Sequence, residues 1–156
     1  MMRTPIDLPI ADLVPHAGRM RLLDRVLEGD TDSIVAEVTV REDSLFFEGG
    51  AVGGWVGIEY MAQAVAAWAG WHARQRGETP RVGFLLGTRR YQCSRPVFKA
   101  GDCLRVEVIR QFSADNGLGQ FDCTLTLGTE QVATAALTVF EPQPGQDVVR
   151  RGNTDG

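Results

Sequence analysis

Between Gly49 and Trp71 the chain carries one formal charge, Glu59, inside the run FEGGAVGGWVGIEYMAQAVAAWAGWHAR that spans residues 47 to 74. Burying a carboxylate without a partner is costly, so a lone acid in so apolar a stretch implies an ion-pair partner, water or a chemical task. Trp55, Ile58 or Glu59, Ala62 and Ala66 recur at intervals of three and four, as do Met61, Val65, Trp68 and His72. That periodicity predicts one helix from about Val52 to Gln75, apolar on a face so broad that the helix should be enclosed. The tail HARQRG suits its C-terminus, with Arg74 and Arg76 on the negative end of the dipole and Gly77 at the cap. The helix start is expected to border a small-molecule site.

Everything else is arranged around that helix. Residues 5–15 read as an irregular lead-in anchored by Leu8, Ile10, Leu13 and Val14 and ended by Pro15. Met20 to Leu27 reads as a short strand, with a turn at Glu28-Gly29-Asp30. Ser33 to Val40 alternates as a second strand, forming a hairpin with the first. Residues 41–54 form a connection. Its glycines, Gly49, Gly50, Gly53 and Gly54, allow tight turns and close approach of a ligand. They make no nucleotide loop, because the GxGxxG spacing and a following Lys-Ser/Thr are absent. Four strands are predicted after the helix: Val82–Tyr91, Asp102–Phe112, Gly119–Leu127 and Gln131–Phe140, joined in part by SADNG and GTEQ turns. Along Asp102–Phe112 one face collects Leu104, Val106, Val108 and, beyond Arg110, Phe112. The economical packing is α+β, a bent antiparallel sheet wrapped round the long helix. A single domain is expected over residues 1–142, followed by a flexible tail over 143–156.

The chain's 156 residues can bury a real core, and its apolar fraction of 44% is that of a globular protein. Its net charge of −4 with scattered basic residues gives no clustered face for nucleic acid. Cys93, Cys103 and Cys123 are odd in number and widely spaced, so free thiols in a reducing compartment are expected, with Cys103 and Cys123 buried. His16 and His72 are the only histidines, and no zinc constellation is visible. The N-terminal segment lacks a signal-peptide core. The apolar run is interrupted by Glu59, Gln63 and glycines, which argues against a membrane span. A soluble cytoplasmic protein without metal or redox cofactor is the expectation.

Four segments carry a resemblance. PHAGRMRLLDRVLEGD is similar to the N-terminal segment of the hot-dog-fold 3-hydroxyacyl-acyl-carrier-protein dehydratases, FFEGG followed by WVGIEYMAQAVAAWAG to the entry of their central helix, and FKAGDCLRVEV to a late strand. VGIEYMAQ and GFLLGTRRY resemble most the divergent branch found in aryl-polyene and related pigment clusters. The resemblance spans residues 11–140. It implies an active site shared across a homodimer or heterodimer of hot-dog subunits. It also implies a substrate carried on the phosphopantetheine of an acyl carrier protein, with the family's helix carboxylate at Glu59. The family's loop histidine is not matched: Gly50 stands in its place, and the Pro-rich loop is shortened to AVGG.

Loss of water from a 3-hydroxyacyl thioester needs a base for the α proton, an acid for the departing hydroxide and stabilisation of the enolate-like oxygen. Glu59 could protonate or orient the hydroxyl, or be held by an arginine or backbone group across a dimer. His16 is the other candidate catalytic group, or else a loop histidine holding a turn, and His72 is assigned to the helix end. Gly53 and Gly54 could offer backbone N–H groups to the thioester carbonyl, or be small for steric reasons. Trp55, Phe46, Met61 and Phe84 could line an acyl tunnel or belong to the core. Arg89, Arg90 and Arg95 could meet the acidic carrier protein or its phosphopantetheine, or be ordinary surface charge. Asp24 is read as structural. The resemblance thus implies a carrier-bound acyl dehydratase subunit. The alternatives are an acyl thioesterase, in which one helix carboxylate activates water, and a non-catalytic partner subunit.

Overall fold

A computed structural model describes residues 2–78 and 83–141, with Phe84 described by its backbone only. The expected strand start at Val82, the Phe84 side chain and the expected tail beyond residue 142 lie outside that description. A two-residue strand β1 (Thr4–Pro5) and 3-10 turns at Ile10–Asp12 and Gly18–Met20 lead into β2 (Arg25–Gly29) and β3 (Ser33–Thr39). A short strand β4 (Ala51–Gly53) and a 3-10 turn (Gly54–Val56) open the helix α1 (Gly57–Gln75). After it come β5 (Phe84–Cys93), β6 (Val97–Lys99), β7 (Cys103–Ser113), β8 (Leu118–Leu127) and β9 (Glu130–Phe140). One seven-stranded sheet runs β1-β2-β3-β7-β8-β9-β5, and β4 pairs with β6 apart from it. Every pairing is antiparallel.

The register explains the core. Ile34, Val108 and Cys123 align across three strands, as do Ala36, Val106 and Leu125, and these rows are buried. Against them α1 turns Tyr60, Met61, Ala64, Ala67 and Trp71. Tyr60, Met61, Phe98 and Phe121 are each 2% exposed or less, and full burial of a side chain of that size contributes about 1.5–3 kcal/mol. Burial, with Asp24 nearby, pushes the Tyr60 hydroxyl up to about 12. The result is the α+β hot-dog arrangement, a curved antiparallel sheet wrapped round one long helix. Among the described residues no helix is long and apolar enough to cross a membrane.

Several local expectations are corrected. Val52 and Gly53 are strand rather than helix, because Val52 pairs with Phe98 and Gly53 with Val97. Met20 to Asp24 is not strand. Gln63 on α1 holds Met20 and Leu22 through their backbone, and β2 begins only at Arg25. The turn lies after Gly29, which still pairs with Ile34. A bulge between Arg110 and Phe112 breaks the β7 alternation and leaves Phe112 55% exposed. Cys123 is buried, but Cys103, at the first residue of β7, is exposed; all three cysteines are free. Asp24 accepts from the Thr39 N–H at 2.6 Å and pairs with Arg41 at 2.7 Å, so it ties the start of β2 to the end of β3.

Glu48 and Ala51 exchange backbone hydrogen bonds at 2.8 and 3.3 Å around Gly49 and Gly50, whose φ angles are 63° and 86°. Positive φ at both central residues is the type I′ hairpin geometry, which glycine accepts without steric cost. The loop in which the resemblance places a histidine is therefore a tight reverse turn in this chain.

Candidate functional site

Glu59 lies on the side of α1 turned away from the sheet core and is exposed in the single chain. Ala62, Ala66 and Ala69 follow it along the helix, and their small side chains leave a cavity of 680 Å³. The apolar enclosure expected for Glu59 is corrected accordingly: the helix is buried on one face and opens onto this cavity on the other. Pro15 and His16 form a second wall. The far side comes from the β7–β8 hairpin, Phe121 and Val139, and the cavity reaches β5 at Leu85.

The structure thus brings Glu59 and His16 to one cavity. Burial pushes the His16 imidazole below its ordinary value, and the Glu59 carboxylate pulls it partly back. His16 Nδ1 is buried and makes no hydrogen bond among the described residues. A neutral imidazole beside a carboxyl group can pass a proton in either direction, which is what elimination or addition of water next to a carbonyl requires.

The other sequence-derived positions lie elsewhere. Phe46 packs edge-on against Trp55, with ring centroids 5.1 Å apart at the start of the helix. Trp55 is 56% exposed, and neither ring lines the cavity. Nor do Gly53 and Gly54. The Gly54 N–H is donated to the Pro96 carbonyl at 2.8 Å, and its own carbonyl accepts from the Tyr91 hydroxyl at 2.5 Å. That engagement removes the Gly54 amide from the role of carbonyl donor in this conformation. A Cβ on Gly57 would run into the same Tyr91 hydroxyl, so this glycine serves close packing. Arg89 and Arg90 are exposed on β5 beside a bulge, with Arg90 at φ 54°. Arg95 contacts Glu130 at 3.3 Å. Met61 is core.

Two cavity residues were not singled out from sequence. Gln63, one turn beyond Glu59, is 3% exposed; its signal was an amide inside an apolar run. Arg110 lies 5.2 Å above the Trp68 ring and pairs with Asp32 at 2.6 Å. Its signal was a charge at an inward position after Leu104, Val106 and Val108. Trp68 Nε1 donates to the Thr31 carbonyl at 3.2 Å and His72 Nε2 to the Asp30 carbonyl at 3.0 Å, so the β2–β3 turn is fastened to the distal end of α1. His72 is lowered by burial. Among the described residues no cluster of His, Cys, Asp or Glu is arranged to hold a metal ion.

Similar proteins share this architecture. A chain in the structure of the dehydratase heterocomplex ApeI:P from Xenorhabdus doucetiae is 31% identical, with a TM-score of 0.83 over 88% of this chain and 93% of that one. The smu.793 protein of Streptococcus mutans bound to acetyl CoA is 15% identical, with a TM-score of 0.61 over 82% of this chain and 94% of that one. Zebra fish thioesterase superfamily member 2 is also 15% identical, with a TM-score of 0.61 over 85% and 89%. At that identity the last two share the fold and nothing more is inferred from them. No curated protein is similar enough to the chain to count as a match. The family model ApeP-like, described as ApeP dehydratase, matches residues 8–150, and the chain belongs to that family.

Proposed function

We propose that this chain is the partner subunit of a hetero-oligomeric dehydratase that acts on 3-hydroxyacyl thioesters of an acyl carrier protein, in fatty-acid-like or aryl-polyene synthesis. It completes and stabilises a shared site whose loop histidine belongs to the other hot-dog subunit. The observation that carries this reading is that the cavity holding Glu59 and His16 runs out to Leu85 on β5, the ten-residue free edge of the sheet. Leu85 and Leu86 on that edge are 41% and 58% exposed. A long edge strand with exposed leucines calls for a pairing partner, and a subunit docked there would wall the cavity. Gly50, in its tight turn, supplies no imidazole. The 31% identical structure is a dehydratase heterocomplex.

In the shared site the partner's imidazole takes the α proton, and Glu59 delivers a proton to the leaving hydroxide; each transfer is worth about 10²–10⁴-fold. The acyl chain lies along Ala62, Ala66 and Ala69, and the phosphopantetheine arm belongs to the substrate. Arg89 and Arg90 are offered to the acidic carrier protein. Free thiols at Cys93, Cys103 and Cys123 suit a reducing cytoplasm.

A second reading rests on Glu59 and His16 facing one cavity: His16 serves as the base and the chain is active alone. The two separate on incubating the chain, alone and with a related subunit carrying the loop histidine, with 3-hydroxyacyl carrier protein. Enoyl product from the mixture only supports the partner role. Enoyl product from the chain alone supports the second reading. Free acid from either would replace both with thioesterase chemistry.

A further inference from the structure

We propose that Gln63 is a positioning residue: its amide clamps the Met20–Leu22 backbone onto α1 and so sets His16 at the cavity that Glu59 faces. Gln63 and Ser33 are the buried polar side chains of the described residues. Both ends of the Gln63 amide go to one segment. Oε1 accepts from the Leu22 N–H at 2.9 Å, and Nε2 donates to the Met20 carbonyl at 2.7 Å. An amide is the side chain that offers an acceptor and a donor side by side, which an apolar residue of equal volume cannot do.

The clamp has a second point. A Cβ on Gly70 would overlap the Leu13 carbonyl oxygen, so the backbone at Leu13 rests directly on the helix. Gly70 and Gln63 are seven residues apart, two turns along one face. The segment between the two contacts contains Pro15 and His16, both of which line the cavity. His16 Nδ1 has no hydrogen bond among the described residues, so the placement of the ring depends on the backbone that carries it. Glu59 and Gln63 are four residues apart on one helix and hence side by side. Gln63 therefore fixes the register between the carboxylate and the imidazole. It touches no reacting atom in this scheme.

The geometric claim stands on the isolated chain; only its catalytic consequence rests on the function proposed above. The test is an NMR titration of histidine-labelled full-length protein, wild type against Gln63→Met, with His72 as internal reference. Methionine keeps the length and removes both hydrogen bonds. The expected result is a His16 midpoint moved up toward that of an ordinary imidazole while His72 stays in place. Gly70→Ala, which pushes on the other end of the segment, should move His16 in the same direction. A folded Gln63→Met protein with an unchanged His16 titration overturns the proposal. If neither variant folds, hydrogen exchange in the wild type decides. The Leu22 amide should be protected as well as the amides of α1, and exchange at the rate of an exposed loop overturns the clamp. On the second reading, with His16 as the base, Gln63→Met should lower kcat of the chain more than tenfold with KM little changed. A wild-type complex without turnover would remove the dehydratase reading and leave the NMR result intact.

Discussion

Replacing Gly70 by alanine separates two opposing effects whose sizes differ. In a solvated helix interior, alanine is favoured over glycine by about 1 kcal/mol, so on propensity alone the substitution stabilises. Here the new methyl would overlap the Leu13 carbonyl oxygen, with the Leu13 carbonyl carbon at 2.9 Å and Cα at 3.1 Å. The obstacle is backbone, and it has little room to retreat. Leu13 is 1% exposed and its N–H is bonded to the Ile10 carbonyl at 3.0 Å. Overpacking of this kind costs about 1–3 kcal/mol. Lifting Leu13 from its site forfeits about a further 1.5–3 kcal/mol of burial. After the propensity gain is subtracted, the net loss should be about 3 kcal/mol, and for a chain of this size that lowers Tm by about 6–12 °C. Urea and thermal unfolding of the full chain measure it, with Gly87→Ala as control, since nothing lies within 4 Å of a Cβ there. The control should change stability by no more than about 0.5 kcal/mol. A Gly70→Ala protein as stable as wild type, or about 1 kcal/mol more stable, refutes the contact between the N-terminal segment and the helix.

Other consequences follow from the same geometry. Burial lowers both His16 and His72 from an ordinary value of 6.5. The unfolded chain therefore binds the proton more readily, and the stability from keeping these rings neutral is complete above that value and lost as pH falls through it. Urea midpoints across that window should drop on acidification, and less so in His16→Gln; an identical slope in the variant would exclude a His16 contribution. Gly50→His puts a Cβ on a residue with a φ of 86°, so it should cost about 1–2 kcal/mol and give no dehydration by the chain alone. Restored activity would show that the turn opens to the geometry of a catalytic loop. Leu86→Lys, on the free sheet edge, should weaken association with the partner subunit at least tenfold, or about 1.4 kcal/mol, with fold stability within about 0.5 kcal/mol. Unchanged binding in a titration of the two subunits would move the seam elsewhere.

What was legible in the sequence divides by range. Residues 57–75 could be read as helix because an alanine-rich apolar period and a basic, glycine-ended tail act locally. β3, β8 and β9 follow from strict alternation, which a half-buried strand enforces. Two of the failures are long-range and one is a local bulge. Val52 looked helical because it adjoins the helix, yet Phe98 recruits it into a strand. Met20 and Leu22 looked like strand, and a glutamine some forty residues away holds them otherwise. Phe112 continued an apolar alternation that a bulge breaks. In the site, a charge in an apolar run pointed to Glu59, and the shortage of imidazoles pointed to His16. The aromatic pair Phe46 and Trp55, and Gly53 and Gly54, were attractive because they stand next to the helix start in sequence. The cavity follows Ala62, Ala66 and Ala69 instead, along the other face. The small residues Ala62, Ala66, Ala69 and Gly70 read from sequence as a surface for close backbone approach; Leu13 takes that place at Gly70, and the three alanines border the cavity.

The central claim is that this chain works as one half of a shared dehydratase site. Turnover of 3-hydroxyacyl carrier protein, followed at fixed total protein while the ratio of this chain to a loop-histidine subunit is varied, tests it most directly. Water loss should peak at equal proportions, be absent from this chain alone, and fall at least a hundredfold when Glu59→Gln replaces the wild type. A rate that simply scales with this chain, whether or not the other subunit is present, contradicts the account.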